Sequence, residues 1–254
     1  CWTYYLIIIF VNIHSFFFFF DSTLVGFDTE TTGVNVHEDR IVSASMVKIG
    51  PSEGIEARQW LINPGVPIPI EATNVHGISN EQAQRDGVPA AIALAEITDA
   101  LAQALLAGIP IVAFNASFDL SLLEAENVRH GVPTLESRLP GAIAPVVDPF
   151  VLDKQFDRFR KGKRWLSNVS EHYGVALHDA HDAQADARAA VQLVPKIVEK
   201  FPELQAMSAM EMHQSQIAWR HEQQTSLIEY FRRVGNEKAA AGVSTHWPLE
   251  PSAV

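Results

Sequence analysis

Short apolar segments alternate with longer helical segments along this 254-residue chain, and this alternation constrains the fold more than any other feature. Segments of strand length, rich in β-branched and small residues, come first, and amphipathic stretches then separate two further short apolar runs. This order predicts an α/β fold in which helices pack on a mixed sheet. The five predicted strands span residues 24–27, 40–48, 56–62, 111–114 and 143–147.

The predicted helices follow the third strand. The segment "SNEQ" at residues 79–82 has the form of a capping box, and Pro89 lies near the start of an Ala/Leu-rich helix. A further helix is expected from about Ser117. Three more are predicted later in the chain, at residues 149–157, 166–173 and 183–200.

The C-terminal part of the chain is predicted to be mostly helical from Phe201 to about Arg233. We expect its apolar side chains to pack on the preceding domain. They are Leu204, Met207, Ile217, Leu227 and Phe231. The expected division is therefore an N-terminal stretch (1–21), a central domain (22–200) and a helical extension with a tail (201–254).

The first twenty residues differ from the rest, because sixteen are apolar and none is charged. Length and hydropathy make this stretch a transmembrane candidate. However, no Lys or Arg flanks it, and only three residues separate it from the first predicted strand. We therefore expect a stretch that is foreign to the fold. Cys1 is the only cysteine, so no intrachain disulfide can form, and a cytoplasmic protein is expected.

The first strand ends in two acids, Asp28 and Glu30, within the segment "LVGFDTETTG". Side chains on a strand alternate between faces, so both carboxylates would project to the same side. Two carboxylates this close repel each other, and a divalent cation removes that penalty. An acidic turn at the end of a strand is the alternative reading of this segment alone.

A second acidic segment, "VAFNASFDLSLL", repeats the pattern of an apolar strand that runs into polar residues and a helix. Asp119 falls in the first turn of that helix, where the helix dipole favours a carboxylate. Asn115 is either the N-cap of the helix or a substrate contact. If this strand is parallel to the first, both acidic groups lie at the carboxyl ends of the strands, where open α/β sheets bind ligands.

The third segment, "HDAHDAQADARAA", places His181 before a helix and Asp186 inside it. These two side chains can converge only if His181 lies on the incoming loop, and Asp182 is then well placed as the N-cap. His178 and Asp179 form a second pair, which we interpret as a solvated loop. Two His-Asp pairs also raise the possibility of an HD-type phosphohydrolase, but that family is all-helical.

The segments "FDTETTG", "FNASFDL" and "HDAQAD" resemble, in order and spacing, the three motifs of the DnaQ-like, or DEDDh, family of 3′–5′ exonucleases. The resemblance spans about residues 24–200. It implies an RNase H-like fold, with a mixed five-stranded sheet flanked by helices. The segment "AWRHEQQTSLIEYFRR" is similar to stand-alone relatives of the proofreading subunit of bacterial DNA polymerase III.

The resemblance implies that Asp28, Glu30, Asp119 and Asp186 hold two divalent ions, Mg2+ or Mn2+. It also implies that His181 is the general base that deprotonates the attacking water. Two metal ions can serve both ends of an in-line displacement at phosphorus. An imidazole suits proton removal near neutral pH. The product would be a nucleoside 5′-monophosphate.

Three further residues, Thr31, His76 and Asn115, match positions near the terminal nucleotide in the family. The implied partners are DNA 3′ ends, in particular single-stranded ends, and RNA is the alternative substrate. A catalytically silent binding module is a third possibility, although all four acids and His181 are present. No polymerase-binding segment is recognisable in residues 201–254, and a membrane partner is not expected.

The net charge of −11 argues against a protein that coats nucleic acid nonspecifically, since such proteins display broad basic surfaces. The segment "RFRKGKR" at residues 158–164 is an exception, with five basic residues in seven. It is either a contact for the phosphate backbone or an exposed basic loop without a ligand.

Overall fold

A mixed six-stranded sheet lies at the centre of the chain in the computed structural model, which describes residues 22–51, 54–177 and 180–251. The predicted stretch at residues 1–21 and the pair His178 and Asp179 lie outside the described residues. The strands are β1 (Leu24–Thr31), β2 (Ile41–Gly50), β3 (Gly54–Asn63), β4 (Val88–Pro89), β5 (Ile111–Val112) and β6 (Val146–Val147).

Most helices lie where the sequence predicted them. Among the described residues, α7 and α9 are the longest helices. They are α1 (Ile70–His76), α2 (Asn80–Asp86), α3 (Ala90–Leu106), α4 (Ala116–Arg129), α5 (Pro149–Phe156), α6 (Leu166–Tyr173), α7 (Ala183–Lys200), α8 (Pro202–Gln205), α9 (Ala209–Arg233) and α10 (Glu237–Ala241). A short 3-10 helix spans Glu136–Arg138.

The strand order is β4-β3-β2-β1-β5-β6. The first three strands form an antiparallel meander, and β5 and β6 then add in parallel on the far side of β1. The α/β prediction is therefore confirmed, and the all-helical HD-type alternative is wrong. The prediction of five strands was one too few, because the two residues of β4 pair with the end of β3. A two-residue strand that includes a proline has no periodicity to detect.

Helices cover both faces of the sheet. Successive strand residues alternate between the two layers: Val25 and Phe27 pack in the cluster that includes α3 and α4, whereas Leu24 packs with α6 and α7. In the same way, Ile111 and Val112 belong to opposite clusters. This alternation fixes which side chains of β1 lie on the face covered by α3 and α4 and which lie on the face covered by α6 and α7.

The long helix α9 packs on the sheet edge through polar side chains, and not only through the apolar ones that the sequence suggested. His213 Nδ1 accepts the N–H of Val146 at 3.1 Å, and Gln216 bonds the carbonyl of Val146 and the N–H of Asp148. These bonds satisfy the free edge of β6, which would otherwise expose unpaired backbone groups.

The predicted apolar face of the extension is only partly correct. Leu204 is fully buried and Met207 packs against the core, but Ile217 is 44% exposed. Because α9 turns a polar face toward β6, an apolar residue one position beyond Gln216 falls outside the contact. Among the described residues, no helix is long and apolar enough to cross a membrane.

Candidate active site

The two acids of the first strand lie where they were predicted, on the same side of β1 near its end. The strand continues through Glu30 to Thr31, and its register with β2 shifts between these two residues. Asp28 and Glu30 are half-buried. Their carboxylate oxygens and one from Asp186 lie within 4.8 Å of one another. A strand and a helix far apart in the sequence therefore bring three acids together.

The helix that carries Asp186 approaches β1 closely because residue 26 is a glycine. A Cβ at Gly26 would lie 2.4 Å from the carbonyl oxygen of Ala187, which is closer than any real contact. Asp182 caps this helix, as predicted, since its side chain accepts the N–H groups of Gln184 and Ala185. The close contact places Asp186, in the first turn, against the acids of β1.

The fourth predicted acid, Asp119, is buried in the first turn of α4 and is held by β1. Its Oδ1 accepts the N–H of Thr29 at 3.0 Å and the hydroxyl of Thr29 at 2.7 Å. Thr29 lies between the two acids of β1, and α7 packs against Gly26 of the same strand. All three motifs are therefore in contact with β1. Burial raises the pKa of Asp28 and of Glu30, and the charge of Asp119 adds to this rise.

Burial and mutual repulsion make these carboxylates unusually weak acids when no cation is present. Burial raises the pKa of Glu30 to about 8, and the charges of Asp186 and Asp119 add to this effect. The pKa of Asp28 is raised well above its usual value by the same causes. Burial also raises the pKa of Asp119 to about 7 and that of Asp186 to about 6. Such a group of acids favours a bound cation.

The hydrogen bonding of the two Asp186 oxygens indicates whether the acidic cluster fits a metal ion. Its Oδ2 accepts the N–H of His181 at 3.2 Å, but its Oδ1 is buried and has no hydrogen-bond partner. An unsatisfied buried carboxylate oxygen is costly unless a ligand uses it. With Asp28 and Glu30 within reach, the donors are all hard oxygens, which suits Mg2+ or Mn2+. The residues present therefore fit a divalent cation.

His181 lies on the loop before α7, as the spacing required. Its backbone is left-handed, with φ +70°, and this turn directs its N–H to Asp186. The imidazole is exposed, and its charge would lower the pKa of Asp186. A positioned but solvent-accessible imidazole next to the acids is compatible with the predicted role as a base, which stays a prediction.

The three predicted substrate contacts surround the same edge of the sheet. Thr31 donates its hydroxyl to the carbonyl of Gly33 at 2.6 Å. His76 ends α1 beside the backbone of Thr31, and its Nδ1 accepts the N–H of Ile78. Burial lowers the pKa of His76 from its usual value of 6.5.

Asn115 is the N-cap residue of α4, as one of the two interpretations had it, but its side chain forms no capping hydrogen bond. The residue is left-handed (φ +65°), and its Oδ1 accepts from Arg220 Nη2 at 3.3 Å. The N–H groups of Asn115 and Ala116 instead donate to the buried Asp148, the residue after β6. The carboxylate of Asp148 thus stabilises the left-handed turn at Asn115.

Several residues that build the site carry no signal of their own in the sequence. Thr29, Asp148 and Arg220 act through contacts with residues about 30 to 105 positions away. Gly26 could have been noticed, since a glycine within a buried strand indicates a close backbone approach.

Comparison with known proteins places the chain in a family. The RNase_T family model, described as "Exonuclease", matches residues 25–194. The chain is 29% identical over 175 residues to the PolC-type DNA polymerase III of Streptococcus thermophilus, covering 68% of this chain and 11% of that protein. The corresponding protein of Caldanaerobacter subterraneus is 28% identical over 193 residues, covering 76% and 13%. The chain thus spans about a tenth of these relatives.

Solved structures of exonuclease I have the same fold. One, described as suggesting how processivity is achieved, aligns with a TM-score of 0.59 and 20% identity over 73% of this chain and 42% of that chain. E. coli exonuclease I in complex with a dT13 oligonucleotide aligns equally well, with 20% identity over 72% and 42%. The six-stranded sheet and its helices therefore form the RNase H-like exonuclease fold.

Proposed function

Because the chain belongs to the DnaQ-like exonuclease family that the RNase_T model describes, we propose that it is a metal-dependent 3′–5′ exonuclease acting on DNA. The observation that carries the proposal is the convergence of Asp28, Glu30 and Asp186, with a buried oxygen of Asp186 left unsatisfied. Oxygen donors of this kind, at the carboxyl edge of the sheet, suit the hydrolysis of a phosphodiester.

The four acids have distinct tasks in this proposal. Asp28, Glu30 and Asp186 would hold the cations directly, and Asp119 would complete the set through the oxygen that Thr29 does not use. Two Mg2+ or Mn2+ ions would supply charge compensation at the phosphate and ease ionisation of water. The buried surroundings of Asp119 and Asp186 exclude bulk water and strengthen these interactions.

His181 would take the proton from the attacking water, since its imidazole is exposed at the edge of the acidic cluster. Its backbone bond to Asp186 would keep the ring near the reaction whatever its rotamer. Thr31, His76 and Asn115 would contact the terminal nucleotide from the surrounding loops. The product would be a nucleoside 5′-monophosphate.

Single-stranded DNA is the proposed substrate, because structures of exonuclease I with the same fold hold dT13 and dA16 oligonucleotides. RNA is the alternative, and the sugar would be distinguished by contacts at the 2′ position. A silent binding module is disfavoured by the complete set of acids.

The experiment uses 20-nucleotide DNA and RNA strands with a label at the 5′ end, with Mg2+ or with EDTA. A 3′–5′ enzyme shortens the labelled strand stepwise and needs the metal ion. Immediate release of a labelled mononucleotide would indicate the opposite polarity, and full cleavage in EDTA would exclude the metal mechanism. The Asp28→Asn variant controls for contaminating nucleases. Faster cleavage of RNA than of DNA would favour the alternative substrate.

A further inference from the structure

The basic loop at residues 157–165, between α5 and α6, contains two kinds of cation. Arg160 and Arg164 both bind Asp153, which is fully buried, and Arg160 Nη2 lies 3.0 Å from Asp153 Oδ2. Arg164 also donates to the carbonyl of Asp157 at 2.7 Å. These two arginines therefore anchor the loop and are not free to bind an external anion.

The other three cations of the loop, Arg158, Lys161 and Lys163, are exposed. Within the part of the chain that the structure describes, none of them forms an ion pair. Two aromatic side chains are exposed beside them: Phe159 is 91% exposed and Trp165 is 62% exposed. A loop that exposes two aromatic rings and three cations without an ion pair has the composition of a surface for single-stranded nucleic acid.

A cationic pocket of about 520 Å³ adjoins this loop, between α5 and α9. Lys154, Arg158, Arg164 and His221 line it, and Glu222 is the one acid in its lining. Burial, together with the charges of Arg220 and Arg164, lowers the pKa of Lys154 to about 8. Three basic side chains and His221 face a single acid in this lining, although the whole chain carries a net charge of −11.

A chain of contacts connects the cationic pocket to the candidate active site. The ammonium group of Lys154 lies 5.1 Å from the centre of the Phe150 ring, which meets the Phe114 ring edge-on at 5.5 Å. Arg220, on the other helix of the pocket, binds the side chain of Asn115. Phe114 and Asn115 directly precede α4, which carries Asp119. The pocket therefore lies behind the segment that positions one of the catalytic acids.

We propose that the cationic pocket and the exposed rings of Phe159 and Trp165 form a second binding surface for the single-stranded part of a nucleic acid whose 3′ end is in the active site. This inference rests on the proposed function. Phosphates would lie against Lys154 and Arg158, and bases would stack on the two rings. On an acidic protein, such a local positive surface offsets the repulsion that a polyanion meets elsewhere.

An acidic protein segment is the competing ligand for a basic pocket. The exposed rings favour nucleic acid, because every base offers a flat face for stacking whereas Asp and Glu do not. Lys163 already lies 3.7 Å above the Trp165 ring, so a phosphate next to a stacked base would meet a cation there. The Trp165 ring is thus paired with a nearby charge.

The test measures binding of fluorescent oligonucleotides of 4 and 20 nucleotides to the full chain in EDTA, where hydrolysis does not interfere. The Lys154→Gln/Arg158→Gln variant should weaken binding of the 20-mer about tenfold and reduce the slope of log affinity against log salt by about 1.4, or about 0.7 for each lost phosphate contact. The Phe159→Ala/Trp165→Ala variant should weaken binding at least about tenfold without changing this slope. Neither variant should change binding of the 4-mer in EDTA or its hydrolysis in a separate assay with Mg2+.

Two controls keep the result interpretable. The Lys196→Gln/Lys238→Gln variant removes the same charge from other helices and should bind the 20-mer as the wild type does. The Lys161→Gln/Lys163→Gln variant changes only exposed side chains, so it tests the surface even if Lys154 is needed for folding. Equal affinity of all variants for the 20-mer would overturn the inference, and so would displacement of the 20-mer by polyglutamate as effective as displacement by unlabelled 20-mer.

The outcomes separate this inference from the proposed function. A chain that binds the 20-mer through these residues but hydrolyses no 3′ end would refute the proposed exonuclease and leave the binding surface standing. A chain that degrades the 20-mer with an unchanged KM in every variant would refute the surface and leave the exonuclease standing.

Discussion

Thr29 binds Asp119 twice, through its backbone N–H at 3.0 Å and its hydroxyl at 2.7 Å, and both bonds end on the same carboxylate oxygen. The second oxygen takes no part in these two bonds. A residue between the two acids of β1 therefore sets the orientation of an acid on another element. Such supporting contacts govern how well metal ligands are positioned.

The Thr29→Val variant tests this relationship, because valine keeps the shape and loses only the hydroxyl. We expect about 10–100-fold weaker activity or metal affinity, in line with other supporting residues of metal sites. Thr29→Ser restores the hydroxyl and should recover most of the loss. The rates of the wild type, Thr29→Val and Thr29→Ser, measured over a series of Mg2+ concentrations, give both the activity and the metal affinity. If valine and serine behave alike, the hydroxyl does not orient Asp119.

Gly26 is expected to be intolerant of any side chain. The added Cβ of Gly26→Ala would meet the carbonyl of Ala187 at 2.4 Å, so α7 must move away from β1 and carry Asp186 with it. Overpacking of this kind costs about 1–3 kcal/mol of stability. The free energy of unfolding and the metal affinity should both fall. Gly141→Ala is the matched control, since a Cβ there meets open space.

Local patterns predicted most strands and helices because each depends on residues close in the sequence. The paired acids of β1, the cap Asp182 and the loop position of His181 followed from alternation and helix boundaries. The clustering of Asp186 with Asp28 and Glu30 was implied by the resemblance to the exonuclease family and not by a local pattern.

Long-range contacts could not be predicted in this way. Asn115 looked like an ordinary helix cap, but Arg220, 105 residues later, binds its side chain. Likewise, five basic residues at 158–164 looked equivalent, whereas the buried Asp153 withdraws two of them into the fold. Only the tertiary structure separates an anchoring arginine from one that is free to bind a ligand.

Repulsion among the acids should destabilise the metal-free protein. At pH 8.5, above the pKa of about 8 of Glu30, we expect Asp28→Asn to raise the thermal unfolding temperature in EDTA by several degrees. Mg2+ should raise this temperature for the wild type and less for the variant. Differential scanning calorimetry measures both effects. A lower unfolding temperature for Asp28→Asn in EDTA would show that the carboxylate has a stabilising partner.

His213 should make stability depend on pH. Burial lowers its pKa from the usual value of 6.5, and its Nδ1 accepts the N–H of Val146. The unfolded chain therefore binds a proton more readily than the folded chain, so the free energy of unfolding falls as the pH falls below about 6.5. In His213→Asn, the amide oxygen can still accept from Val146 but does not titrate. Urea unfolding between pH 7.5 and 5.5 should show a shallower decline for this variant, and equal declines would contradict the prediction.

His181 should act through its imidazole and not through its backbone. Because its φ is +70°, the His181→Gly variant removes the ring without straining the turn and retains the N–H that binds Asp186. Metal and DNA binding should persist, since the four acids remain. The single-turnover rate should fall by roughly 10²–10⁴-fold, the usual contribution of a positioned acid–base group.

Added imidazole should restore part of the rate of His181→Gly, because the missing ring leaves an open space beside the acids. Asp28→Asn, which lacks a ligand and not a base, should gain nothing from imidazole. If His181→Gly loses metal affinity instead, or if imidazole fails to help it while its DNA binding is intact, His181 is a structural residue and another group removes the proton.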